Sequence, residues 1–176
     1  MTFTPTELEG AYIVTPRVFP DARGTFRMTY VREEFLAQGI AADYVQTNIS
    51  TSKPRHTLRG MHFQTGAAAQ DKLVRCIRGI LLDVIIDIRP DSPTYCKHIS
   101  VTLDAEKDEM LFVPKGFAHG FITLVEDTHL MYQVSYPYTP SAESGIRWND
   151  PAFGIEWPSD YPLLSEKDSK YPDYDI

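Results

Sequence analysis

Ile80 to Ile88 reads ILLDVIIDI, with Leu82, Val84, Ile86 and Ile88 on one face and Asp83 and Asp87 on the other. Such a period of two is what the alternating side chains of a β-strand require, and the apolar face is the expected core side. The same texture recurs outward from this stretch, in AYIVTP, FRMTY, VQTNIS, TLRGMHF, KLVRCI, HISVTL, MLFVP, GFITLV and HLMYQVSY. Between the runs stand PDARG, IRPDSP, DAEKDE, PKG and LVEDT, whose Gly, Pro and Asp residues suit turns. About ten strands fit a sandwich or barrel better than a parallel sheet. Only VREEFLAQ has helical spacing in the first part of the chain, with Val31 and Phe35 one turn apart and Gly39 as a stop. From Pro137 onward the composition turns to Pro, Tyr, Trp and acidic residues. Residues 137–176 therefore read as an irregular wrap on a single domain spanning 1–176.

With 176 residues and 43% hydrophobic content, the chain can bury one well-packed core. Acidic residues outnumber basic ones 24 to 17, the net charge is -7, and no Lys/Arg cluster interrupts it, so no nucleic-acid partner is expected. MTFTPTELEG lacks a basic start followed by an apolar run, and no window approaches the roughly 18 apolar residues of a membrane span. The expectation is a cytoplasmic protein with no membrane partner. Cys76 and Cys96 fall in apparent strands, far from any CxxC spacing, and read as reduced core thiols.

Chemistry concentrates in three strand-like stretches: TLRGMHFQ with Arg59 and His62, DKLVRCIRG with Lys72, and FVPKGFAHGF with His119. Two imidazoles and an ammonium converging in one β-structure suit proton abstraction beside a carbonyl, with a cation to hold the enolate oxygen. Each residue also has a plain alternative. A strand histidine can be structural, Lys72 can be a solvated strand lysine, and His119 can cap or pack. Arg59 and His62 are three apart, so on a regular strand they face opposite sides, and Gly60 must kink or bulge the chain before they share a pocket. Spacing alone does not bring Tyr132, or Asp168 of LSEKD, to these residues.

His62-Phe63-Gln64 lacks the second histidine of an HxH pair, and no acidic ligand follows at short spacing, so neither a metal nor another cofactor is expected. Phosphate loops of the GxGxxG or GxxxxGK[ST] type are absent, leaving Arg23, Arg59 and Lys167 to hold any nucleotide. There is no G-x-S-x-G nucleophile elbow.

ARGTF, QTNIS, LRGMHFQ, QDKLVR, DIRPDSPTY, VPKGFAHGF, YQVSYPYTP, GIRWNDPAFGIEWP and LSEKD occur in that order from about residue 10 to residue 168. Together they resemble the dTDP-4-dehydrorhamnose 3,5-epimerase family. The resemblance implies an all-β fold, a cupin-type β-jelly roll with short peripheral helices, usually a homodimer with strand exchange and a metal-free site inside the barrel. The substrate it implies is a nucleotide-linked 4-keto-6-deoxy sugar, dTDP-linked in the family, inverted at carbon-3 and/or carbon-5. A single-centre epimerase on another nucleotide sugar and a non-catalytic sugar-binding cupin are the alternatives. On the family pattern His62 is the base, Asp168 its support, Tyr132 the opposing acid and Lys72 the enolate-stabilising cation. Substrate contacts map to Phe19, Arg23, Phe26, Gln46, Asn48, Arg59, His119, Tyr138, Glu143 and Lys167. Two positions depart from the pattern. Met28 stands where a glutamate is expected, which points to an altered nucleotide or sugar preference, and His56-Thr57 replaces a glycine and a valine before LRG.

Overall fold

The computed structural model describes residues 1–40 and 43–175. These form thirteen strands and one α-helix: β1 (Thr2–Pro5), β2 (Tyr12–Thr15), β3 (Arg17–Asp21), β4 (Gly24–Met28), α1 (Arg32–Ala37), β5 (Gln46–Ser52), β6 (Leu58–Gln64), β7 (Lys72–Arg78), β8 (Ile80–Asp87), β9 (His98–Asp104), β10 (Met110–Val113), β11 (Phe117–Thr123), β12 (Thr128–Val134) and β13 (Glu143–Gly145). Three short 3-10 turns complete the set, at Gly66–Ala68, Pro140–Ala142 and Asp168–Lys170. One sheet has the order β1-β2-β10-β7-β12-β5, a second β13-β6-β11-β8-β9, and the β3-β4 hairpin stands apart from both. Every named strand pair is antiparallel. This is the all-β architecture that the strand pattern predicts, in the jelly-roll form that the family resemblance implies.

Apolar side chains fill three layers. Between the sheets lie Val74, Leu81, Ile85, Leu103, Leu111, Phe121 and Leu130, all in one buried cluster. Each such side chain stabilises the fold by about 1.5–3 kcal/mol on full burial. Outside the six-stranded sheet, Phe35 of α1 joins Val14, Leu73, Met110 and Phe112. The helix starts one residue after Val31, and Gly39, at φ +77°, ends the turn by donating its N–H to Leu36.

The third cluster corrects the reading of ILLDVIIDI. Val84 and Ile86 pack outward against Ile146 and Phe153 of the C-terminal segment, with Leu82 and Ile88 beside them. Leu81, Asp83, Ile85 and Asp87 therefore form the row that turns inward, and all four are buried. The strand is covered on both faces: the C-terminal segment lies over the Val84 and Ile86 side, and the Asp83 and Asp87 side, which alternation alone would leave to solvent, turns in between the sheets. Cys76 is a buried thiol on β7, but Cys96 sits in a turn at φ +60°, not in a strand. Among the described residues no helix is long and apolar enough to cross a membrane.

Candidate active site

The site begins where β6 and β11 touch. His62 pairs with His119 and Arg59 with Phe121, so three residue steps on β6 oppose two on β11. This bulge turns Arg59 and His62 into the same cavity despite their spacing. Gly60 makes it possible: a Cβ there would lie 2.5 Å from Gly120 Cα and 2.8 Å from the His119 carbonyl oxygen, and its φ is +130°. Only glycine fits such an approach.

The cavity, of about 460 Å³, opens between the two sheets. Tyr132 of β12, Lys72 of β7, and Gln46, Asn48 and Ser50 of β5 form the six-stranded wall. The opposite wall carries Arg59, His62 and Gln64 of β6, His119 of β11 and Glu143 of β13, with Ser165, Lys167 and Asp168 arriving from the C-terminal segment. His62, Tyr132, Asp168 and Lys72 thus line one space. So do Gln46, Asn48, Arg59, His119, Tyr138, Glu143 and Lys167.

Asp168 is 4% exposed, and its Oδ1 lies 2.7 Å from His62 Nε2. Burial pushes this carboxyl up, but the His62 hydrogen bond and charge, the Gly60 N–H and the Ser165 hydroxyl outweigh it, and the net shift is downward. An ionised Asp168 accepts a hydrogen bond from Nε2–H, so the lone pair of a neutral His62 resides on Nδ1. Lys72 is 8% exposed, and burial lowers its ammonium to about 8, with Asp83 and Glu143 acting in the opposite sense. His119 donates to Asp83 across 2.9 Å, and burial, reinforced by Lys72 and His62, lowers its pKa despite Asp83. Burial raises the Tyr132 hydroxyl, so it remains a protonated phenol at neutral pH. At the mouth Tyr138 donates to Glu143 across 2.7 Å, and Lys167 pairs with the same carboxylate.

Three expected contacts lie elsewhere. Phe19, Arg23 and Phe26 sit on the β3-β4 hairpin and do not line the cavity of their own chain. Phe26 is 66% exposed and Phe19 48%, which is unusual for neighbouring aromatics unless something else covers them. Among the described residues Arg23 bonds only within the hairpin, to Asp21. Met28, the last residue of β4, is likewise outside the cavity. His56 adopts φ +58°, the backbone region that glycine takes most readily, so the path into β6 persists with a different side chain. Among the described residues no three His, Cys, Asp or Glu side chains are grouped as a metal ion would need.

Residues 5–175 match the family model described as dTDP-4-dehydrorhamnose 3,5-epimerase. The chain belongs to this family. It is 45% identical over 174 residues to the dTDP-4-dehydrorhamnose 3,5-epimerase of Salmonella typhimurium, covering 98% of this chain and 94% of that one. The Bacillus anthracis dTDP-4-dehydrorhamnose 3,5-epimerase, solved with TDP and PPi bound, superposes with a TM-score of 0.95 at 40% identity, covering 98% and 99% of the two chains. A Legionella pneumophila dTDP-6-deoxy-D-glucose-3,5-epimerase in complex with dTDP-4-keto-L-rhamnose gives 0.92 at 33% identity, covering 98% and 92%.

Within this epimerase-family cavity, three contributors escape a reading by sequence. Asp83 is the buried partner of His119, and only the inward row of β8, with Leu81 and Ile85 as its apolar members, could have pointed to it. Gln64 ties the floor to the rim, since its amide donates to the Ala68 and Pro137 carbonyls and accepts from the Thr139 N–H at 2.6 Å. Tyr171 sets its ring edge-on to His62, centroids 5.7 Å apart, over Gly145, where a Cβ would collide with it. No local signal marks Gln64 or Tyr171, because their partners come from distant parts of the chain.

Proposed function

We propose that this chain is an isomerase inverting carbon-3 and carbon-5 of a dTDP-linked 4-keto-6-deoxyhexose. The observation that carries the reading is a base and an acid on opposite walls of one cavity: His62, backed by Asp168, on the five-stranded sheet and Tyr132 on the six-stranded sheet. A 4-keto group acidifies the hydrogens on both neighbouring carbons. His62 Nδ1 removes one, Asp168 stabilises the imidazolium, Lys72 holds the enolate oxygen, and Tyr132 returns a proton to the other face. The keto group and the Lys72 cation together supply the acidification for which other enzymes use a metal, so the reaction needs no cofactor. Activity should survive exhaustive chelation, and loss restored by one added divalent ion would overturn that part of the reading.

Tyr132→Phe tests the whole scheme. Deleting the hydroxyl leaves His62 and Lys72 to form the enolate, so the variant washes solvent deuterium into the sugar without changing its configuration. Inversion of both carbons at an undiminished rate would place the donor elsewhere, and inversion of one carbon only by the wild type would favour the single-centre alternative.

The exposed hairpin fits a homodimer in which Phe19, Arg23 and Phe26 of one protomer close the cavity of its partner. Solvent-exposed aromatics and an exposed arginine that could exchange its surface pairing with Asp21 for pyrophosphate are what such a rim needs. Met28 would travel with them, bringing a thioether where a carboxylate is expected. A nucleotide-sugar substrate supports the reading of a cytoplasmic protein.

A further inference from the structure

Asp83 is 0% exposed, deep in the inward row of β8. Its Oδ2 is used by His119, while Oδ1 is buried with no hydrogen-bond partner. A buried carboxylate costs several kcal/mol unless something compensates it. The compensating charge is Lys72 on the facing sheet, whose ammonium forms no hydrogen bond or ion pair with the described residues. Asp83 therefore acts on Lys72 through space rather than by contact.

We propose that Asp83 is a positioning residue that keeps the Lys72 ammonium charged while leaving all three of its donors free for substrate, and that fixes His119 as the tautomer with its lone pair on Nδ1. A direct Lys72–Asp83 bridge would consume a donor that the enolate oxygen needs, and an unopposed lysine in this wall would lose its proton near neutrality. The same carboxylate takes the Nε2–H of His119, which turns its other nitrogen into an acceptor for a sugar hydroxyl. Asp83 touches no substrate in this scheme. The groups facing Lys72 are Asp83 from β8, Glu143 from β13, His119 from β11 and Tyr132 from the adjacent β12, with His62 of β6 acting on His119. The proposal rests on the reading of Lys72 as the cation of an epimerase.

The test is Asp83→Asn, which preserves shape. Nitrogen-15 NMR follows the Lys72 ammonium and the His119 ring through a pH titration, and deuterium wash-in into the dTDP-4-keto sugar follows activity. The Lys72 midpoint should fall from about 8 by about one pH unit or more. The alkaline limb of kcat/KM should move with it, and the His119 nitrogen shifts should report loss of the single tautomer. An unmoved midpoint and an unmoved limb in the folded variant overturn the proposal, since a merely structural Asp83 would shift neither. If Asp83→Asn does not fold, Asp83→Ser gives a second measurement: the Lys72 midpoint must again fall, and a constant value overturns the coupling. A wild-type protein that exchanges no sugar hydrogen would sink the epimerase reading instead, and the NMR midpoints judge Asp83 independently of it.

Discussion

Asp168→Asn isolates what a carboxylate gives His62. The side chain is 4% exposed, its Oδ1 lies 2.7 Å from Nε2, and Asn has the same shape, so neither packing nor the backbone bond from Asp168 N to Ser165 Oγ should change. Two effects then separate. Loss of a charge-assisted hydrogen bond to the developing imidazolium costs about 1.5–3 kcal/mol, or roughly 10- to 150-fold in rate. The Asn amide can also turn its NH2 toward Nε2, which moves the imidazole proton to Nδ1, the nitrogen left for the substrate. In a Ser-His-Asp triad the equivalent wrong tautomer costs about 10⁴ in kcat. The expected loss is therefore about 10²- to 10⁴-fold in deuterium wash-in, with KM little changed and the melting temperature within a few degrees of wild type. A folded variant that exchanges within fivefold of wild type would refute the reasoning, because the hydrogen bond would then hold the ring in place without tuning it.

Two other expectations follow from other parts of the fold. Asp87 is buried and accepts from Arg89, Ser92 and Thr94, and against the upward push of burial these bonds bring its carboxyl from 3.8 down to about 2. Its contribution to stability is thus full above about 3.8 and is lost as pH falls through about 2. Asp87→Asn should cost about 3 kcal/mol at neutral pH, lowering the melting temperature by about 6–12 °C, and should flatten the acid dependence of stability in that window. An unchanged acid profile by calorimetry would assign the acid sensitivity to other carboxylates. For the hairpin, mixing unfolded Arg23→Ala and His62→Asn chains and refolding them together should restore about a quarter of wild-type sites, since half the dimers are mixed and each mixed dimer holds one intact site. If the mixture stays as inactive as its parents, Arg23 acts in its own chain or not at all.

The strands of this fold were legible wherever one stretch carried its own pattern. ILLDVIIDI announced β8, and HLMYQVSY announced β12, because alternation is a local property. What alternation could not say is which face looks inward once both are covered, and so Asp83 and Asp87 were assigned to the wrong environment. The β3 strand was missed because RVFPD is exposed along its whole length and contains Pro20. Its pairing partner is only the adjacent β4, so it has no core to signal. Most of the cavity wall was legible through the resemblance, including Lys72 and Tyr132. Spacing could supply the Arg59–His62 relation only as a condition on Gly60, and the bulge against Gly120 meets that condition. Asp168 and Tyr171 reach His62 across more than 100 residues of chain, and no periodicity encodes such a closure.

That long closure bears on why a jelly roll suits this chemistry. An enolate is planar, and inversion needs a donor on the face opposite the base before the intermediate escapes. Packed sheets stand about 10 Å apart, which leaves room for one flat ring between side chains rooted in the two walls. In the proposed scheme the base belongs to β6 and the acid to β12, and neither can drift toward the other without dismantling a sheet. Carbon-3 and carbon-5 both flank the carbonyl carbon, so an oxygen anchored at Lys72 lets one base and one acid address either centre by turning the sugar about that anchor. On this view the rigid walls supply the stereochemistry, and the number of centres inverted depends on whether the rim, with its hairpin and Met28, allows the sugar to turn.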